Sequence, residues 1–177
     1  AEGYIAKLVG RGYRVAVCEQ VGDPKTTKGV VKREIARVIT PGTVIDPALV
    51  PSVAATYLMA ALPDVKQKEW GISLLDISTG EFFAATVPED PTHESLLSEI
   101  ARYRPAECIV PENLPGPLRD RIRDAGVIVT PCREELFSCD RATSLLCGHF
   151  GTASLGGFGF ESRSCATGAA GAALAYA

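Results

Sequence analysis

The sequence predicts an α/β protein in which a mixed five-stranded sheet carries helices on both faces. Strand-like apolar runs at 54–62, 70–77 and 81–87 follow one another directly, and the turn Ser78-Thr79-Gly80 joins the second run to the third as a hairpin. Helical and strand patterns then alternate as far as residue 177. Three antiparallel strands followed by helix-strand-helix-strand-helix is the order of a ribonuclease-H-like fold.

A smaller set of elements precedes this sheet. Apolar side chains recur at helical spacing over residues 1–10 and predict an amphipathic helix. Gly12 follows, and glycine readily takes the left-handed conformation that ends many helices. Strand patterns cover residues 13–19 and 30–40, with a polar loop between them. These elements predict a small α/β unit before the larger sheet.

The best domain boundary follows the second of these strands. Pro41-Gly42-Thr43 interrupts the strand pattern, and two further prolines fall within residues 44–52 without a regular apolar period. We therefore predict a first unit at 1–43, a linker at 44–52 and a larger domain at 53–177.

Helices and strands alternate after the three apolar runs. The predicted helices cover 91–102, 114–125, 140–150 and 164 onward, and the predicted strands cover 107–110 and 127–130. Asp90 is the expected N-cap of the first of these helices, with Pro91 at its first position, and Asp140 is the expected cap of the third. Alanine and glycine dominate the last helix, so its backbone is expected to approach the sheet closely.

Composition and charge exclude several classes of protein. The hydrophobic share of 46% is typical of a soluble globular protein, and the net charge of −3 excludes a general polyanion binder. Neither a signal peptide nor an apolar run long enough to span a membrane is visible. The six cysteines form no C-x-x-C pair and are expected to be reduced thiols of a cytoplasmic protein. Both ends fall within predicted helices, so we expect a fragment of a longer protein.

A local basic segment is the candidate nucleic-acid contact. Lys25, Lys28, Lys32 and Arg33 lie in and beside the polar loop, where their charges suit the backbone phosphates of duplex DNA. The alternative is an ordinary solvated hairpin tip.

Two sets of residues are candidate metal sites. Asp76 ends a predicted central strand, the position at which ribonuclease-H-like nucleases hold Mg²⁺, but such hydrolysis needs several converging carboxylates. Asp76 also precedes a hairpin, where a carboxylate simply accepts hydrogen bonds from turn amides. The spacing of Cys132, Cys139, Cys147 and His149 matches no common zinc pattern. We predict no metal ligand and no catalytic residue.

Several ordered motifs resemble the MutS family of DNA mismatch-repair proteins. C-E-Q-V-G-D-P at 18–24, K-G-V-V at 28–31 and R-V-I-T-P-G-T at 37–43 are similar to the end of the mismatch-reading domain, and A-E-G-Y-I-A-K-L-V at 1–9 fits the helix before it. Three further segments resemble the connector domain of the family: L-L-D-I-S-T-G-E-F at 74–82, P-A-E-C-I at 105–109 and F-G-T-A-S-L-G-G-F-G at 150–159. The resemblance covers essentially the whole chain.

The resemblance implies a role in linking and docking. It implies a longer protein, a dimer that uses ATP and Mg²⁺ and binds mismatched DNA, in which this part connects the DNA-reading region to the clamp and ATPase regions. The family's Phe-x-Glu wedge does not stand in residues 1–43, so only weak, non-specific DNA binding is expected here. The connector domain offers a surface to MutL, and Arg141, Thr143, Ser144 and Leu145 are the candidate contacts. A plain surface helix, a free-standing interaction module and a nuclease are the alternatives.

Overall fold

The computed structural model describes residues 2–21, 31–44, 56–160 and 163–177. They form a small module, residues 2–21 and 31–44, and a large module, residues 56–160 and 163–177. The small module contains helix α1 (Glu2–Val9) and strands β1 (Val15–Gln20) and β2 (Arg33–Ile39). Gly12 has a φ of 86°, and its amide donates to the carbonyl of Val9, so the predicted glycine ends α1 in the expected conformation.

The small module has a core on one face only. β1 and β2 pair antiparallel with a bulge after Val17. Val9, Ile39 and Val44 are buried together, and Val44 is the first residue of the predicted linker. Most other β2 side chains are exposed, including Ile35. Residues 45–52 of the linker lie outside the described part.

The large module contains the predicted sheet. Its strands are β3 (Leu58–Asp64), β4 (Glu69–Asp76), β5 (Glu81–Pro88), β6 (Glu107–Pro111) and β7 (Ile128–Cys132). They lie in the order β5-β4-β3-β6-β7; the first three pair antiparallel, and β6 and β7 run parallel to β3. Gly80, at the end of the hairpin between β4 and β5, has a φ of 77°, as that turn requires. The predicted mixed five-stranded architecture is confirmed.

Helices cover both faces of this sheet, as predicted. They are α2 (Glu94–Tyr103), α3 (Gly116–Asp124), α4 (Cys139–Phe150) and α5 (Ser164–Tyr176), with short 3₁₀ turns at Glu134–Phe137 and Gly156–Phe158. Leu96 and Ile100 of α2 and Ile122 of α3 pack with Trp70 on one face. Ala169 and Ala173 of α5 pack with Leu58 and Ile109 on the other.

The small residues of α5 allow unusually close packing. A Cβ atom on Gly71 of β4 would stand 2.1 Å from the carbonyl carbon of Cys165, and one on Gly171 would stand 2.2 Å from the Cβ of Ala142 in α4. Ser73 of β4 also donates a 3.0 Å hydrogen bond to the Ala169 carbonyl. The predicted close approach of the last helix is confirmed, and it fixes α4 on the outer side of α5.

Two helix starts differ from the prediction. α2 begins at Glu94 instead of residue 91, because His93 takes a left-handed conformation with a φ of 53°. Asp90 nevertheless accepts hydrogen bonds from the amides of Glu94 and Ser95, so it caps the helix from outside it. The expectation for Asp140 is wrong, since α4 begins one residue earlier, after Ser138. Within the described ranges, no helix has the length and apolarity needed to cross a bilayer.

Candidate functional site

The two modules meet at a buried carboxylate, Glu107, at the start of β6. Its Oε1 accepts hydrogen bonds of 2.6 Å from the hydroxyls of Thr130 and Tyr176, and its Oε2 accepts one of 3.1 Å from the amide of Gly42. Glu107 is 0% exposed, so these donors satisfy its carboxyl oxygens without contact to bulk water. The carboxylate therefore joins the small module to β7 and α5 of the large module.

The Thr40–Val44 segment packs closely against Glu107 at this junction. Thr40, Gly42 and Val44 are buried, and the Thr43 hydroxyl accepts a 3.0 Å hydrogen bond from the Thr40 amide. A Cβ on Gly42 would lie 3.0 Å from the Cβ of Glu107, so only glycine fits without displacement. The sequence pattern predicts only a strand break over this segment.

The hydroxyl of Tyr176 and the side chain of Arg14 extend the junction towards solvent. The guanidinium carbon of Arg14 lies 5.5 Å from the centroid of the Tyr176 ring, within cation–π range. Burial, and then the hydrogen bond to Glu107, raises the pKa of the Tyr176 hydroxyl, which therefore remains a donor at neutral pH. Gly12 adds a second point of contact, since a Cβ there would meet the Ile128 side chain at 2.9 Å.

The predicted docking residues lie at the start and middle of α4. Arg141, Ser144 and Leu145 are exposed, whereas Thr143 is half-buried and its hydroxyl donates to the carbonyl of Cys139. Ala142 and Leu146 form the buried side of the helix. The open face is therefore made chiefly by residues 141, 144 and 145. Phe150, at the end of the helix, is 44% exposed, and its ring lies beside those of Phe82 and Phe158.

The predicted DNA-backbone residues are only partly described. Lys25 and Lys28 lie outside the described residues. Lys32 and Arg33 are exposed at the start of β2, and the Lys32 ammonium pairs with the Glu34 carboxylate at 2.7 Å. Both partners are well exposed, so solvent weakens this pair. Part of the charge of Lys32 is nevertheless offset by its neighbour.

Asp76 has a structural role in its hairpin. Its Oδ1 accepts hydrogen bonds from the amide and hydroxyl of Ser78 and from the amide of Thr79. Burial raises the pKa of the Asp76 carboxyl, but the hydrogen bonds from Ser78 and Thr79 outweigh it and lower the pKa below the ordinary value. The ionised carboxylate is therefore the form that this turn stabilises.

The two buried carboxylates of the sheet lie on opposite faces. Asp76 follows Leu75, which packs under α5, so strand alternation turns Asp76 towards α2 and α3. Glu107 points the other way, to the α5 side, where Tyr176 binds it. Among the described residues no group of three or more His, Cys, Asp or Glu side chains could hold a metal ion. Asp76 and Glu107 therefore do not converge on one site.

Comparison with known proteins accounts for both modules. The family model described as MutS domain I matches residues 1–48, and that of MutS domain II matches residues 56–177. Over 98% of this chain's length, the sequence is 43% identical to the DNA mismatch repair protein MutS of Methanosarcina acetivorans. This chain belongs to the MutS family.

The MutS relatives are much longer than this chain. The DNA mismatch repair protein MutS of Symbiobacterium thermophilum is 43% identical over 99% of the chain, and that of Methanococcoides burtonii is 38% identical over 99%. In each case the chain spans 20% of the relative's length. The junction at Glu107 therefore joins the residues matched by MutS domain I to the residues matched by MutS domain II.

Proposed function

We propose that this chain is the linking and docking part of a DNA mismatch-repair protein. It connects the DNA-reading region to the clamp and ATPase regions of a longer, dimeric, cytoplasmic protein that binds mismatched DNA and uses ATP and Mg²⁺ in those ATPase regions. The observation that carries the proposal is the Glu107 junction, where one buried carboxylate holds both modules. A motion of the small module is thereby passed to the large one.

The open face of α4 is the surface that we assign to MutL. Arg141, Ser144 and Leu145 are exposed there, while Leu146 anchors the helix to the core. An exposed apolar side chain between polar neighbours suits a modest protein interface. The proposed role of this face is therefore to bind a partner protein, and no residue is assigned to catalysis.

Retention of MutL by the immobilised chain tests the docking proposal. The parent chain should retain purified MutL, and Ser144→Arg with Leu145→Glu should reduce retention at least about tenfold, because a charge then lies in the contact. Arg123→Glu on α3 is the control for a charge change away from this face, since Arg123 is exposed on a different helix. Equal retention by all three chains would contradict the assignment of α4.

A further inference from the structure

A second surface lies beside the junction, where three arginines from different parts of the chain line one recess. The recess has a volume of about 530 Å³. Arg14 comes from the small module, Arg133 follows β7, and Arg141 lies in the first turn of α4. The remaining lining residues are Pro131, Cys132, Glu135, Leu136 and Tyr176.

The charges of these arginines are largely unmatched. All three are exposed, and none forms a salt bridge with another described residue. Arg14 stacks over Tyr176, which keeps its guanidinium at the wall of the recess without neutralising it. Guanidinium groups present several N–H donors in a plane and bind oxyanions by paired hydrogen bonds. Three guanidinium groups around one recess therefore suit an oxyanion.

We propose that this recess binds a carboxylate side chain from an acidic segment of a protein partner. Glu135 in the wall offsets one of the three positive charges, so the recess keeps a net positive charge that an acidic side chain complements. Glu112 stands close by, where its amide donates to the Cys132 carbonyl. Duplex DNA carries a charge about every 1.7 Å and needs an extended basic surface, which these two glutamates interrupt.

The location gives the site a consequence for the modules. Arg14 belongs to the small module and Arg133 and Arg141 to the large one, so a carboxylate bound by all three bridges the two. Tyr176 forms both a wall of the recess and a donor to Glu107. Occupancy therefore stiffens the junction from its solvent side. The inference rests on the proposed docking function only in that Arg141 belongs to both surfaces.

Fluorescence anisotropy with a labelled peptide of alternating glutamate and serine tests this site. The parent chain should bind the peptide, and Arg14→Gln with Arg133→Gln should weaken binding at least about tenfold, because each lost contact is charge-assisted. Arg102→Gln with Arg123→Gln removes the same charge elsewhere and should leave the affinity unchanged. Equal loss in both double variants would overturn the proposal. So would tighter binding of a labelled duplex with the same dependence on Arg14 and Arg133.

Alkylation of Cys132 provides a second measurement, which locates the bound peptide. Cys132 lines the recess, so bound peptide should slow its reaction with iodoacetamide, followed by mass spectrometry, while exposed Cys18 reacts at an unchanged rate. An unchanged rate at Cys132 would place the peptide elsewhere and refute the recess. If the unsubstituted chain retains MutL but does not bind the peptide, the recess alone is refuted. If it binds the peptide but does not retain MutL, the docking proposal alone is refuted.

Discussion

Replacing Glu107 should destabilise the protein by an amount that depends on what takes the place of its carboxylate. Glu107→Ala leaves the hydroxyls of Thr130 and Tyr176 and the amide of Gly42 without their acceptor. An unpaired buried donor costs about 1–3 kcal/mol, and breaking a buried charge network costs about 3–5 kcal/mol. We expect Glu107→Ala to lower the free energy of unfolding by about 3–5 kcal/mol.

Glu107→Gln should cost much less, about 1 kcal/mol, because the amide keeps the shape and hydrogen-bonding capacity of the side chain. Its oxygen can accept from the Gly42 amide, while its NH₂ donates to the two hydroxyls, which then act as acceptors instead of donors. Guanidinium unfolding followed by circular dichroism measures both values. Equal costs for the two variants would refute the argument that unpaired donors dominate.

Amide hydrogen exchange locates the effect. The Gly42 amide should exchange faster in Glu107→Ala, because Glu107 is its acceptor. The Thr40 amide donates to the Thr43 hydroxyl within the same turn and should keep its protection. Equal acceleration at both amides would mean that the whole segment opens, which contradicts a specific junction.

Three other perturbations follow from the structure. Gly71→Ala should lower the free energy of unfolding by about 1–3 kcal/mol or more, because the new Cβ would stand between 2.1 and 2.4 Å from α5 backbone atoms. Calorimetry compares its melting temperature with that of the control Gly157→Ala, whose new Cβ would meet nothing within 4 Å, and equal melting temperatures would contradict the prediction. Asp76→Asn should be destabilising at neutral pH, because a carboxyl whose pKa is lowered by folding stabilises the folded state above its ordinary pKa of 3.8. The difference in unfolding free energy between the variant and the unsubstituted chain should therefore shrink as the pH falls below that value. Urea unfolding at neutral and acid pH measures this difference, and a difference that stays constant would refute the prediction. Duplex binding should weaken with salt, and Lys25→Ala with Lys28→Ala should make the logarithmic slope shallower by up to about 1.8; an unchanged slope would exclude both lysines from phosphate contact.

The order of elements could be predicted because it depends on local patterns. Strand periodicity indicates all three antiparallel strands, and the glycine at position 80 identifies the hairpin between the last two. Helix starts are harder to predict because they depend on neighbours: His93 takes a left-handed conformation that delays α2, and Ser138 takes the N-cap place expected of Asp140. The short 3₁₀ turn at Glu134–Phe137 has no strong sequence signal and is not predicted.

The junction could not be predicted from the sequence, for a different reason. Glu107 shows only as the polar first residue of a short strand, and its partners lie 23, 65 and 69 residues away. No local period connects Gly42, Thr130 and Tyr176. The fold brings them together only when β6, β7 and α5 are assembled. The helical period of α4 separates a buried face from an open one and places Ser144 and Leu145 on the open face, whereas Thr143 is half-buried because its hydroxyl donates to the Cys139 carbonyl.

Residual dipolar couplings from the amides of both modules test most directly whether they are linked as one body. We predict that β1 and β2 share a single alignment tensor with the large sheet in the unsubstituted chain, because the Glu107 junction fixes their orientation. Separate tensors for the small and large modules in the parent chain would contradict the linking role.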